Sequence, residues 1–267
     1  MTAGPPVVAV LGLGEAGSLI AADLSAAGAV VQGFDPRVPA GTGVLERASD
    51  ADACRQAAVV LALTSAHDAV ETLSLALPGI GQGAVYADLN TASAGLKSRL
   101  AGLAASAGIG FADVAMMSPV PGNGLRTPML ACGPAAEPFA TALNPLGASV
   151  QVLPGPPGTA ATHKLIRSVF YKGLAAAVGE ALQAARAAGC EEWIRQNIGA
   201  ELDSAGAADI DRLERGSVRH ARRRADEMAA ASDLLRELGV QPLLASATEQ
   251  SLRQLMAESA PQPGQAG

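Results

Sequence analysis

Gly12, Gly14 and Gly17 stand in G-x-G-x-x-G spacing directly after the apolar run Val7–Leu11. A helix-like stretch, Glu15 to Gly28, follows, and then a second apolar run, Ala29–Phe34, ending at Asp35. A β-strand, a glycine turn, a helix and a second strand in this order constrain the chain strongly, because each glycine has a mechanical task. Gly12 lets the backbone turn tightly out of the strand. Gly14, without a Cβ, lets a pyrophosphate approach the backbone. Gly17 lets the helix lie close, with its N-terminus facing the phosphates. The spacing predicts a dinucleotide-binding βαβ unit, in which the loop residues Gly12, Leu13, Gly14, Glu15, Ala16 and Gly17 are candidate cofactor-binding positions. An acid about twenty residues beyond the glycines, here Asp35, accepts hydrogen bonds from the adenosine ribose.

The remaining pattern from residue 1 to about 155 alternates strand and helix. Val59–Leu63 reads as a buried strand, followed by a helix over residues 66–77. Val85–Leu89 reads as the next strand, and residues 93–108 as the next helix. Strand candidates follow at 110–117, 128–133 and 149–153, with a helix at 137–143 between the last two. Such alternation predicts an α/β Rossmann-type doubly wound sheet, with the later, closely spaced strands extending it in mixed orientation. The segment Pro154-Gly-Pro-Pro-Gly158 punctuates the chain. Beyond it no strand is expected. Residues 158–189 read as one long interdomain helix, and 191–203, 206–238 and 243–258 as further helices, with a break near Gly216 and a clean start at Pro242. The expected organisation is an NAD(P)-binding domain over 1–155, an all-α domain over 156–260 for substrate binding and dimerisation, and a disordered tail over 261–267.

Composition bounds the function. Apolar residues make up 49% of the 267 and charged residues 16%, enough for a substantial core. A net charge of −6 gives no basic surface for nucleic acid. No run approaches the roughly 18 apolar residues of a membrane span, and no basic segment precedes the first apolar run as in a signal peptide. The three cysteines, Cys54, Cys132 and Cys190, are scattered, which fits a reducing cytoplasm and buried or inert thiols. With His67, His163 and His220 they form no ligand spacing, so no metal is expected.

Four segments together resemble the β-hydroxyacid dehydrogenase superfamily, which includes 3-hydroxyisobutyrate, tartronate-semialdehyde and 6-phosphogluconate dehydrogenases and the related imine reductases. The resemblance spans about Val7 to Leu255 and looks closest to a phosphogluconate-dehydrogenase-like subgroup with a distinctive helical domain. The first segment is the glycine motif. The second, Asp88-Leu-Asn90-Thr91, is similar to the family's D-x-S-T or D-x-N-S. The resemblance puts Asn90 and Thr91 near the nicotinamide, and Thr64, after the strand Val59–Leu63, joins them as a cofactor-binding candidate. The third, Asp113 to Ser118, lies where the family has D-x-P-V-S-G-G. Met117 stands in the place of the family's serine and Ser118 in that of its first glycine, so the family's contacts to a substrate carboxylate do not transfer. The fourth, Gly158 to Lys164, is similar to the G-x-x-x-x-x-K in which the family carries its catalytic lysine. Ser168 occupies the position of the family's asparagine. Lys164, Ser168, Tyr171 and Lys172 share one helical face by spacing.

In the last third, His220, Arg223, Arg224 and Glu227 share a helical face by spacing, and Arg222 with Asp226 is an i, i+4 pair. The run is similar to the subgroup's H-A-x-R-R-x-x-E-M, which makes His220 and Arg223, with Met117, Ser118 and Lys172, candidates for contact with a small anionic substrate.

The resemblance implies an NAD(P)-dependent oxidoreductase that moves a hydride between nicotinamide and a small hydroxy acid, with Lys164 and Ser168 as catalytic residues. Acting as a base, Lys164 needs a neutral amine, hence an environment that lowers its pKa from about 10.4 through desolvation or a nearby cation such as Arg167 or Lys172. NAD is expected over NADP, because Asp35 repels a 2′-phosphate, although Arg37 lies two residues on. An imine reductase, an isomerase or lyase using nicotinamide transiently, and a non-catalytic dinucleotide-binding sensor or scaffold are the alternatives. A homodimer or higher oligomer is expected, because Leu165, Val169, Phe170, Leu174, Val178 and Leu182 put apolar residues on more than one face of the long helix.

Overall fold

The computed structural model describes residues 4–259; the expected tail at 261–267 lies outside them. Eight strands form one sheet: β1 (Val7–Leu11), β2 (Val30–Phe34), β3 (Val44–Glu46), β4 (Val59–Ala62), β5 (Val85–Asp88), β6 (Gly110–Met116), β7 (Pro128–Cys132) and β8 (Ser149–Val152). Their order is β3-β2-β1-β4-β5-β6-β7-β8. Every pairing is parallel except β6 with β7. The order reverses between β1 and β4, the switch point at which doubly wound sheets bind ligands.

Side chains alternate across this sheet, and both faces are covered, so the central strands read as continuous apolar runs. Val8 and Val10 enter one core with Ile20 and Leu24 of α1 (Glu15–Ala26) and Phe139 of α5 (Ala136–Leu143). Ala9 and Leu11 enter the other, with Ala53 of α2 (Asp50–Cys54), Leu73 of α3 (Ala69–Ala76) and Leu100 of α4 (Ala94–Ser106). Two elements were not expected. β3 is a three-residue edge strand between glycines and polar residues, too short for a pattern. The single turn α2 is held by its cap: Ser49 Oγ accepts from Asp52 N–H at 3.2 Å.

Beyond β8 only helices occur among the described residues: α6 (Thr159–Ala187), α7 (Glu191–Ser204), α8 (Ala208–Arg219), α9 (Ala221–Glu237) and α10 (Leu243–Ser259). The chain divides into two compact units between Arg167 and Ser168, within α6. In the second unit, the Glu180 carboxylate of α6 accepts the N–H groups of Leu244 (2.7 Å) and Ala245 (2.8 Å), capping α10. The break expected near Gly216 falls instead at His220, which is non-helical at φ −116° and ψ 22° and separates α8 from α9. Gly216 stays helical, packed beneath the Arg224 guanidinium, which donates to Ser217 Oγ at 2.9 Å. His220 therefore does not share a helical face with Arg223, Arg224 and Glu227, as its spacing alone had implied.

Candidate cofactor pocket and active site

The glycine loop has the geometry its spacing implies. Gly12 sits at φ +91°, in the left-handed region, and a Cβ there would strike the Leu63 carbonyl. A Cβ on Gly17 would collide with the Gly12 carbonyl oxygen, so this glycine permits the close approach of α1 to the loop. Gly14 has open space where its Cβ would be, as a pyrophosphate cradle requires. The Leu13 N–H donates to Asp35 Oδ2 at 2.8 Å, tying the loop to the end of β2. Asp35 Oδ1 also accepts from the N–H groups of Arg37 (2.8 Å) and Val38 (3.1 Å).

A cavity of about 750 Å³ opens here, lined by Gly12, Gly14, Asp35, Arg37 and Thr64 together with Asp50, Asp68 and Glu71. Five sequence-derived candidates thus meet in one pocket, and its size and loop fit a dinucleotide. Its wall is acidic. Burial pushes the Asp50 carboxyl above its usual range, a backbone hydrogen bond opposes the shift, and the charges of Glu71 and Asp35 add to it.

Beyond β5 and β6 lies a second construction, which the sequence reading had missed. Asp88 and Asp113 end up side by side in the parallel β5–β6 register, both fully buried. Lys97, on the buried stripe of α4 with Leu100 and Ala104, is 1% exposed. Its Nζ lies 2.8 Å from Asp88 Oδ2 and 3.1 Å from Asp113 Oδ1, and donates to the Asp88 carbonyl at 2.6 Å. Burial raises the Asp88 pKa, and Lys97 then Asn90 oppose the rise. Asn90 Nδ2 donates to Asp88 Oδ1 at 2.6 Å and lies 3.4 Å from Thr64 Oγ1. On the other side, Asp113 Oδ2 accepts from the N–H groups of Gly158 (2.9 Å) and Ala161 (3.2 Å), capping α6. Five residues beyond the helix start, Lys164 Nζ donates to Thr91 Oγ1 at 2.8 Å. The signal that could have found Lys97 was its i, i+3, i+7 spacing with Leu100 and Ala104, which puts an ammonium on an apolar stripe.

Met117 and Ser118 follow β6, and Ser118 Oγ is buried with no hydrogen-bond partner among the described residues. Ser168, Lys172, His220 and Arg223 belong to the second unit. Lys172 and His220 are exposed there, and Arg223 Nη1 pairs with Glu227 at 2.9 Å, on the surface. Cys54 and Cys132 are buried and Cys190 is exposed. No group of three or more His, Cys, Asp or Glu among the described residues could hold a metal ion.

Residues 7–135 match the model of the NAD binding domain of 6-phosphogluconate dehydrogenase. The first domain is an NAD-binding domain of that family. Residues 185–255 match a domain of unknown function, DUF1932. No curated protein sequence matches the chain. Among solved structures, a conserved hypothetical protein from Sinorhizobium meliloti 1021 is 28% identical, covering 97% of this chain and 91% of its own, with a TM-score of 0.61. The conserved protein MTH1747, of unknown function and described as structurally similar to 3-hydroxyacid dehydrogenases, is also 28% identical, over 96% of this chain and 100% of its own, with a TM-score of 0.59. An imine reductase from Myxococcus stipitatus in complex with NADP+ shares the fold at 17% identity, over 95% of both chains, with a TM-score of 0.78. The fold these structures share with the chain is a mostly parallel α/β sheet followed by helices.

Proposed function

We propose that the protein is an NAD(P)-dependent oxidoreductase acting on a small hydroxy acid, with Lys164 taking up or returning the hydroxyl proton. The observation that carries this reading is the Lys164 Nζ–Thr91 Oγ1 hydrogen bond at 2.8 Å, beside Asn90 and beyond the carboxyl end of β5. Doubly wound sheets bind their ligands at that edge. When bound, the nicotinamide supplies the hydride chemistry. Thr91 Oγ1 orients the Lys164 amine by accepting a hydrogen bond from it, and a neutral Lys164 takes the proton of a substrate hydroxyl while its ammonium returns it in the opposite direction. Ser168 stands one turn further along α6. The unpartnered Ser118 Oγ supports a role in holding a polar substrate group, and Met117 gives the neighbouring position an apolar character.

A second reading is reduction of a carbon–nitrogen double bond, favoured by the imine reductase that shares the fold over 95% of both chains. The Lys164–Thr91 pair supports the first reading, because proton exchange with a hydroxyl needs such a group. A panel of hydroxy acids with NAD and NADP, run beside cyclic imines with the reduced cofactors, separates the two. Lys164→Ala is expected to lower turnover on the accepted substrate by about 10²–10⁴. NADH affinity should be unchanged, and Lys164→Arg should not rescue, because a guanidinium stays protonated. Near-normal turnover in Lys164→Ala would remove this residue from the mechanism.

The proposed assembly is a homodimer. α7 and α8 contain no buried residue, and Trp193 and Ile210 are 64% and 68% exposed. Apolar area of this kind is ordinarily covered by a partner. No helix among the described residues is long and apolar enough to cross a membrane.

A further inference from the structure

We infer that the buried Asp88–Lys97–Asp113 cluster is the positioning device for Lys164, setting from one point both the loop that carries Thr91 and the helix turn that leads to Lys164. The inference rests on the reading of Lys164 as the proton-transfer group.

Two carboxylates adjacent in a fully buried register repel each other and are costly to desolvate. Such an arrangement persists only with a cation beside it, and the single charge of Lys97 is shared between the two carboxylates at 2.8 and 3.1 Å. The ammonium also donates to the Asp88 carbonyl at 2.6 Å, which ties it to the end of β5. The outer oxygens of the two carboxylates then face opposite tasks. Asp88 Oδ1 holds Asn90 at 2.6 Å, which fixes the backbone immediately before Thr91. Asp113 Oδ2 holds the free N–H groups of Gly158 and Ala161, which fixes the first turn of α6. A buried carboxylate at a helix N-terminus is a strong anchor, because charge and unpaired N–H groups favour it together.

Packing locks the same turn onto α4. A Cβ on Gly158 would press on Ala94 at 3.0–3.2 Å, and Ser98 Oγ donates to the Pro157 carbonyl at 3.1 Å. Cys132 completes the seat: its Sγ accepts the Ala160 N–H at 3.2 Å and lies 3.4 Å from Asp113 Oδ2. The Lys164–Thr91 hydrogen bond therefore joins two arms tied to one ammonium. Lys97, Asp88 and Asp113 are positioning residues; none of them lines the cofactor cavity.

The test compares Asp113→Asn and Lys97→Met with Asp23→Asn. The last removes a carboxylate-to-amide bond elsewhere, Asp23 Oδ2 with the Leu125 N–H at 2.8 Å. Amide hydrogen exchange over residues 158–164, NADH affinity and steady-state kinetics on the accepted substrate are measured on the full chain. In Asp113→Asn and Lys97→Met, exchange at 158–161 should accelerate by about 10-fold or more, and kcat should fall by about 10- to 100-fold. NADH affinity should stay within about threefold, the pH midpoint of kcat should move, and Asp23→Asn should show none of this. Should Lys97→Met not fold, the Asp88→Asn/Lys97→Met pair, which removes one of the two buried carboxylates with their cation, replaces it. Unchanged exchange and kcat in folded variants would overturn the inference, as would a parallel loss of NADH affinity, which would mark the cluster as scaffolding only. If Lys164→Ala retained turnover while the exchange changes stood, the proton-transfer reading would fail and the anchoring would survive.

Discussion

The sheet-bearing unit and the helices α7 and α8 solve opposite problems. In the first, even charged groups are taken fully inside, and Lys97, Asp88 and Asp113 compensate one another without solvent. In α7 and α8 no residue is buried, although Trp193, Leu202, Ile210, Leu213 and Val218 are large and apolar. Their ion pairs, Arg195–Glu191, Arg212–Asp209 and Arg215–Asp211, are i, i+3 or i, i+4 contacts on exposed surface, worth little to stability. A region that buries ionic groups is complete in itself. The apolar side chains that α7 and α8 leave exposed form the surface on which a partner copy is proposed to dock.

The largest expected effect breaks that second half of the comparison. The double variant Ile210→Asp/Leu213→Asp should weaken self-association by about 10²-fold or more, if these side chains sit in a covered interface. Light scattering across concentration reads this directly. NADH affinity should not change, since the cavity is built wholly from the first unit. A stable wild-type monomer at micromolar concentration would leave α7 and α8 without a partner copy and sink the homodimer.

Thiol reactivity sharpens the same contrast. Burial pushes Cys54 up to about 12 and raises Cys132, whereas Cys190 is exposed at the start of α7. The thiolate is the nucleophile, so iodoacetamide at pH 8 should modify Cys190 about 100-fold faster than the other two. Peptide mapping reports the order. Slow labelling of Cys190 in the wild type that becomes fast in the dimer-breaking variant would put the start of α7 beneath the partner copy.

These contrasts also explain what could be read in the sequence. The glycine loop was legible because each glycine answers a local steric demand, seen in Gly12 at φ +91° and in the collision a Cβ at Gly17 would make. The central strands were legible as apolar runs buried on both faces. β3 was not, since a three-residue edge strand with two exposed residues carries no periodicity. The helix break was misplaced because Gly216 costs a helix little when Arg224 packs on it, whereas nothing local marks His220 as non-helical. Lys164 was reached through its helix and the family resemblance. Lys97 was not, because a lysine at a helical position reads as a solvated cation until two buried carboxylates on neighbouring strands are known to face it.

Cofactor choice asks whether the first unit is complete in function as well. The cavity wall holds Asp35, Asp50, Asp68 and Glu71 against a single guanidinium, Arg37. NAD should be preferred over NADP by about 10-fold in kcat/KM, a difference of about 1.4 kcal/mol. Asp35→Ser should narrow or reverse the ratio by leaving Arg37 unopposed near a 2′-phosphate. The same ratio should persist in the dimer-breaking variant. A clear NADP preference in the wild type would mean that Arg37 outweighs the carboxylates.

The smallest effect tests the acidity of that wall from the stability side. Burial raises the Asp50 pKa above the ordinary aspartate value of 3.8, with Glu71 and Asp35 adding to the shift. Between the unfolded and folded values the folded chain holds more protons than the unfolded one, so stability falls as pH rises through that window. Above it the charged carboxylate remains a constant penalty; below 3.8 both states are protonated and the penalty is gone. Asp50→Asn should therefore raise Tm at pH 7 by roughly 1–3 °C and leave it unchanged near the acid end of the window. Bound NADH should not alter the sign, because the penalty comes from burial first. An equal gain at both pH values would show that the substitution acts through packing of α2 rather than through the charge.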